Sequence, residues 1–296
     1  MRLILIALAV LLGAASLALM VDTSAVGRWA VEQQRAFQNV IAGALRALRS
    51  GAPEAMATLL GASAAYGFVH AVGPGHGKYL VGGVGLGTTV PALRLVVLAL
   101  AASLAQALWA ILLVYGGFFA LEVSARQLTT LAEDILAPAS YVAIAAIGAV
   151  LVLRGARALM RGAAPSHADA ADHDHHDCGH AHGPSVEQVR QATGLREAAA
   201  LVAGIAIRPC TGAVFLLVIA WQMEIRTAGA AAVVAMGLGT ALLTSLVAVS
   251  SVAARRITVA SSGTPASVAL AASSLQVLAG ALIVWFGIVL LSASLA

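Results

Sequence analysis

Charge is the first thing this sequence lacks. Only 10% of its 296 residues are Asp, Glu, Lys or Arg, while 60% are apolar and the mean hydropathy is +0.94. An ordinary soluble domain is about one quarter charged. Seventeen basic and thirteen acidic side chains cannot clothe a soluble fold of this length. A soluble enzyme is therefore excluded, and the chain must be divided into membrane spans. Lysine is nearly missing too: sixteen of the basic residues are Arg, and Lys78 is the single lysine. The arginines stand singly at the ends of apolar segments, as the positive-inside rule expects of span flanks. They form no basic stripe, so no nucleic-acid partner is expected. Cysteine is scarce, and Cys178 and Cys210 are too few and too unlike in setting for a disulfide framework. No ATP-binding motif is present.

What the sequence has instead is long apolar runs. A helix needs about 20 largely apolar residues to cross the hydrocarbon core. Seven segments reach or approach that length: 3–21, 55–73, 91–120, 137–153, 198–222, 227–254 and 266–292. The first follows Arg2 and contains Ala14, Ala15 and Ser16, so it reads equally as a cleaved signal peptide or a retained anchor. The fold class expected is an all-α integral membrane protein with a six-helix core and an N-terminal anchor or signal helix. With the N-terminus inside, the inner side receives Arg94, Arg154, Arg157, Arg161, Arg190, Arg196, Arg255 and Arg256. The outer loops of the core then hold only Arg126 and Arg226. Segment 22–54 falls outside, where Trp29, Phe37, Val40, Ile41, Ala44, Leu45 and Leu48 recur with a helical period. That pattern predicts an amphipathic helix on the outer membrane face, with no chemistry of its own. The chain thus divides into an anchor (1–21), this segment (22–54), a first helical set (55–160), a polar cytoplasmic loop (161–196) and a second set (197–296).

Ionisable residues within spans are costly and therefore informative. No carboxylate occurs between Glu54 and Glu122, yet His70, His76 and Lys78 fall within nine residues around Gly73-Pro74-Gly75. Pro74 has no amide hydrogen and disfavours helix at the residue before it, and the glycines remove bulk. The helix should break here, leaving free carbonyls beside two imidazoles. Across a break His70 and His76 can converge on one ion, and imidazole suits nickel, cobalt, zinc and copper. Lys78 either repels a bound cation to aid release or snorkels to the inner interface, the latter being preferred. A second break is expected at Arg208-Pro209-Cys210-Thr211. Here Thr211 can bond a freed carbonyl and Cys210 offers a soft ligand. A lone buried cysteine is ordinarily a small hydrophobe, but an adjacent guanidinium suits a thiolate ligand. Each break lies in the first helix of a three-helix set. Three is odd, so the two sets run in opposite senses, the inverted-repeat layout in which paired broken helices hold a substrate.

The polar loop carries His167, His173, His175, His176, His180 and His182, interleaved with Asp169, Asp172, Asp174, Asp177 and Cys178. Six of the eight histidines are here. Such a tract cannot build a core and reads as a flexible metal-binding segment, with Asp172, Asp174, Asp177 and Cys178 as possible further ligands. Its spacing matches no closed structural zinc site.

The motif His70-Ala-Val-Gly-Pro74-Gly-His76-Gly-Lys78, the Pro209-Cys210 helix and the His-rich loop together resemble the nickel/cobalt efflux permeases of the NicO family, over residues 55–292. The resemblance implies a multi-pass bacterial inner-membrane transporter, not an enzyme. It would export Ni²⁺ or Co²⁺ as substrate, with no permanently bound cofactor, and have the lipid bilayer and divalent metal ions as partners. It places His70, His76 and the Pro209-Cys210 region on the translocation path and gives the loop the task of gathering cytoplasmic metal. Gly73 stands where several efflux members carry an acid, and the loop is short for the family. Three other readings are open. Nickel-uptake permeases have a similar His-x4-Asp-His helix, although Gly75 precedes the second histidine here. A membrane thiol–disulfide carrier has a similar inverted arrangement, but it needs two thiols able to meet, and the first half of this chain has none. A metal buffer or sensor built on the loop leaves both helix breaks without a purpose.

Overall fold

A chain this apolar must satisfy its backbone hydrogen bonds within each segment, and helix is the form that does so. The computed structural model describes residues 23–72, 76–120, 124–162, 195–262 and 264–295. Every regular element among them is helical: α1 (Thr23–Arg49), α2 (Ala55–Val72), α3 (His76–Gly87), α4 (Ala92–Ala120), α5 (Ala125–Thr130), a π-helical turn (Leu131–Leu136), α6 (Ala137–Gly162), α7 (Leu195–Ala206), α8 (Thr211–Gln222), α9 (Arg226–Ala260) and α10 (Pro265–Leu295). The expected N-terminal anchor (1–21), the Gly73-Pro74-Gly75 triplet, Glu122 and the histidine tract of 167–182 lie outside the described residues.

Among the described residues, five helices are long and apolar enough to cross a membrane: 55–72, 92–120, 125–160, 226–260 and 266–292. The segment 198–222, expected to break at Pro209, is two twelve-residue helices, α7 and α8, on either side of it. α2 and α3 likewise flank the first proline motif.

Two expectations are corrected. The third span starts near residue 125 rather than 137. Ser124 opens α5 with a capping box, accepting from the Gln127 amide while its own amide donates to the Gln127 side chain. Pro138 then removes one donor and would press on the carbonyl four residues back. The ladder widens by one residue to pass it, and the Ala137 amide bonds Ala132.

The second correction concerns 22–54. α1 does not lie alone on a membrane face: it runs antiparallel along α2. The turn between them closes at Gly51 (φ 82), where the Ala52 amide bonds the Ala47 carbonyl and the Gly51 amide bonds that of Leu48. Ile41, Ala44 and Leu45 pack with Leu59 and Ala62 of α2. Ile41, Ala44 and Leu45 of the apolar stripe are thus a helix–helix contact, while Trp29 and Val40 of the same stripe stay exposed.

Small residues set how the spans pair. The first span, α2–α3, runs parallel to α9: a methyl on Gly67 would strike the Met236 carbonyl, one on Gly82 would press Val247, and one on Gly85 would strike Ser251. α4 runs parallel to α7–α8, with Ala99 and Ala102 near Ile205 and Ala110 and Val114 near Val214 and Leu217. α6 and α10 run antiparallel, Gly148 and Gly155 packing on Gly280 and Val277, and Gly287 on Ala145.

Two apolar clusters result. One joins Leu59, Tyr66, Ala110, Val114, Leu217 and Met236, and the other joins Leu80, Leu95, Leu151, Ile205, Val252 and Ile283. Leu95, Leu151 and Val252 carry Arg94, Arg154 and Arg255 to one end of the bundle. Leu128 and Ala228 carry Arg126 and Arg226 to the other. His70, Gln106, Cys210, Thr240 and Thr244 line a cavity that also touches Val81, Ala99 and Ile205 of the second cluster.

Candidate functional site

The site is built from two helix ends that the prolines create. α2 ends at Val72, so His70 sits in its last turn. α8 begins at Thr211 with Cys210 as the extended residue before it (φ −67, ψ 128), whose carbonyl accepts from the amides of Ala213 and Val214. The Cys210 side chain makes no capping bond to its own helix. Its Sγ instead stands 3.6 Å from His70 Nε2, across 140 residues of sequence.

Two of the carbonyls at the breaks have side-chain partners. Lys78 Nζ donates to the Val72 carbonyl at 2.6 Å, closing the end of α2 from the first turn of α3. That bond gives the Val72 carbonyl a partner, which a buried carbonyl at a helix end needs. At the other break, Gln106 Nε2 of α4 donates to the Arg208 carbonyl at 2.7 Å. The Arg208 guanidinium donates to the Tyr141 hydroxyl and lies 5.1 Å from the centre of that ring.

These groups line a cavity of about 150 Å³ between the two apolar clusters. His70 and Ala71 come from α2, Gly77, Lys78 and Val81 from α3, and Ser103 and Gln106 from α4. Arg208, Pro209, Cys210 and Thr211 come from the second break, and Thr240 and Thr244 from α9. Thr240 Oγ1 also donates to the Gly67 carbonyl at 3.1 Å, fixing α9 to the turn that carries His70.

The imidazole is held on three sides. Tyr66, one turn earlier, stacks on it with centroids 5.7 Å apart and planes 9° apart. Gln34 of α1 places Oε1 3.1 Å from Nδ1, and Gln38 donates to the Tyr66 hydroxyl at 3.4 Å. Gly212 gives Tyr66 room, since a methyl there would meet its ring and hydroxyl.

Of the residues expected from sequence, His70, Lys78, Arg208, Pro209, Cys210 and Thr211 meet at one cavity. His76 opens α3, and its side chain lies outside the described residues. So do Gly73, Pro74 and Gly75, and in the loop His167, His173, His175, His176, His180, His182, Asp172, Asp174, Asp177 and Cys178. Among the described residues no group of three His, Cys, Asp or Glu gathers, so His70 and Cys210 are a pair of donors. Sequence reasoning missed Tyr66, Gln34, Gln38, Gln106 and Thr240. Tyr66 was findable as the residue one helical turn before His70.

An imidazole and a thiolate can share a divalent ion here with little movement. Bonds of about 2.0 Å to nitrogen and about 2.3 Å to sulfur at a tetrahedral angle hold the two donor atoms about 3.5 Å apart. The gap present is 3.6 Å.

Comparison with known proteins agrees in kind. A family model described as NicO, high-affinity nickel-transport protein, matches residues 56–178. A curated protein of Haemophilus influenzae named "Putative nickel/cobalt efflux system" is 31% identical over 229 residues, covering 72% of this chain and 70% of that protein. No solved structure matches significantly.

Proposed function

The chain belongs to the NicO family of nickel and cobalt transport proteins and is a multi-pass membrane transporter, not an enzyme; from that premise we propose that it exports Ni²⁺ or Co²⁺ from the cytoplasm across the bacterial inner membrane. The observation that carries this reading is the pairing of His70 with Cys210 across two interrupted helices, in a cavity between two apolar clusters. Half-helix ends and freed carbonyls at such a depth are tolerated where they line a substrate path.

The six spans act as two inverted three-helix sets, 55–160 and 197–296. Their pairing supports this. The first span runs beside the fifth as the fourth runs beside the second, and the third pairs with the sixth. Exchanging spans one, two and three for four, five and six leaves that pattern unchanged. Rocking of one set against the other would open the cavity to either side.

Direction rests on the loop. The arginine-rich end of the bundle is the cytoplasmic one by the positive-inside rule. The histidine tract leaves α6 at that end and would raise metal concentration at the loading face. His76 and the backbone at the first break would complete the donor set. Metal binds only neutral imidazole and deprotonated thiol, so loading releases protons and release takes them up, which suits exchange against a proton gradient. Family membership sets the thiol–disulfide reading aside.

The test is accumulated nickel and cobalt in cells without other exporters of these metals. Expression should lower accumulation, and His70→Ala, His76→Ala or Cys210→Ser should restore it. Higher accumulation on expression would establish uptake instead. Unimpaired export by all three variants would remove the site.

A further inference from the structure

α1 has no motif, yet it supplies the contact that orients the imidazole. Gln34 and Gln38 stand one helical turn apart on the side of α1 turned toward α2. Gln34 Oε1 lies 3.1 Å from His70 Nδ1, while Gln38 holds the hydroxyl of Tyr66, which stacks on the same ring. A neutral imidazole has one N–H and one lone pair, and the partner at one nitrogen decides which nitrogen offers the lone pair. An amide oxygen at Nδ1 accepts that N–H. The lone pair then lies on Nε2, the nitrogen 3.6 Å from Cys210 Sγ.

We propose that Gln34 is a positioning residue of the metal site: it holds His70 in the tautomer and ring orientation that aim Nε2 at the ion shared with Cys210. This rests on reading His70 and Cys210 as ligands. It makes α1 a working part of the transporter and not a surface appendage. Gln34 is the partner that the described residues give to Nδ1. Loss of such an outer partner typically weakens metal binding about 10–100-fold.

The test uses the purified full-length chain carrying Cys178→Ser, which leaves Cys210 as the sole thiol. It is titrated with Co²⁺ and followed by thiolate-to-cobalt charge-transfer absorption. The parent should show the band, and Cys210→Ser should lose it. Gln34→Met matches the shape of glutamine without an acceptor. It should keep the band while its half-saturation rises about 10–100-fold. Gln34→Glu retains an acceptor oxygen at the same reach and should titrate close to the parent. If Gln34→Met titrates like the parent with the band intact, the role of Gln34 is overturned and the ligand pair stands. Equal weakening in Gln34→Glu also overturns it, since the acceptor is then not what matters. Should Gln34→Met fail to fold, Gln34→Lys, a donor only, takes its place, and equal affinity in the Lys and Glu forms overturns the proposal. A parent without the band removes the ligand pair itself.

Discussion

The first interrupted span presents the end of a helix to the cavity, and the fourth presents the start of one. The end of α2 is its carbonyl pole, and there the chain places His70 and the ammonium of Lys78. At the start of α8 are free amides, and there it places Cys210. Carbonyl ends of helices favour positive charge and amide ends favour negative charge. The imidazole and the thiol proposed as cation donors therefore each sit at the helix pole that suits them. The breaks also differ in how they are closed. The Val72 carbonyl is satisfied from within its own span, by Lys78, whereas that of Arg208 is satisfied from α4, by Gln106.

The largest expected effect separates the supports of the two breaks. Gly67→Ala puts a methyl against the Met236 carbonyl, backbone that cannot turn aside. It should cost about 3 kcal/mol in denaturant unfolding and abolish transport, because α2 is pushed away from α9. Gly212→Ala meets the ring edge and hydroxyl of Tyr66, a side chain and not backbone. It should cost about 1 kcal/mol, with metal affinity reduced as Tyr66 leaves His70. A Gly212 variant worse than the Gly67 variant would break the comparison.

The carbonyl closures come next. Lys78→Met should destabilise by about 2–3 kcal/mol and Gln106→Leu by about 1–2 kcal/mol, since a charged donor makes the stronger bond and each loss orphans a half-buried carbonyl. Equal costs in unfolding would show that charge adds nothing at the first break.

The smallest effects lie at the turns leading into α2 and α9. Both close with the same pair of amide-to-carbonyl bonds, but the left-handed residue is Gly51 in one (φ 82) and Glu224 in the other (φ 61). Glu224→Gly should raise stability by about 1 kcal/mol and Gly51→Ala should lower it by about the same, read as shifts in unfolding midpoint. If Glu224→Gly destabilises, the Glu224 side chain has a role that the backbone does not reveal.

How far the site was legible follows from what each residue is. His70, Arg208 and Cys210 stood out because ionisable or soft side chains are rare in apolar spans, and the prolines because they end helices. Five of the spans were legible from hydropathy alone. The start of the third was not, since a capped α5 and a π turn carry the helix across Glu133 and Asp134 to Pro138. Gln34, Gln38 and Gln106 were invisible for a different reason. A neutral amide is unremarkable on any helix, and only the packing of α1 on α2 and of α4 on α7–α8 gives these three a target. The apolar stripe of α1 was correctly seen as a stripe, but sequence periodicity says that a face is buried and not by what.

The central claim is that two breaks in different halves of the chain hold one ion between His70 and Cys210. Its most direct test is metal affinity in a chain whose loop histidines are replaced by Ala, measured for the parent, His70→Ala, Cys210→Ser and the double variant. A shared site predicts strong non-additivity, with the double variant about as weak as either single one, because the first change already dismantles the site. Two losses that simply multiply would contradict it.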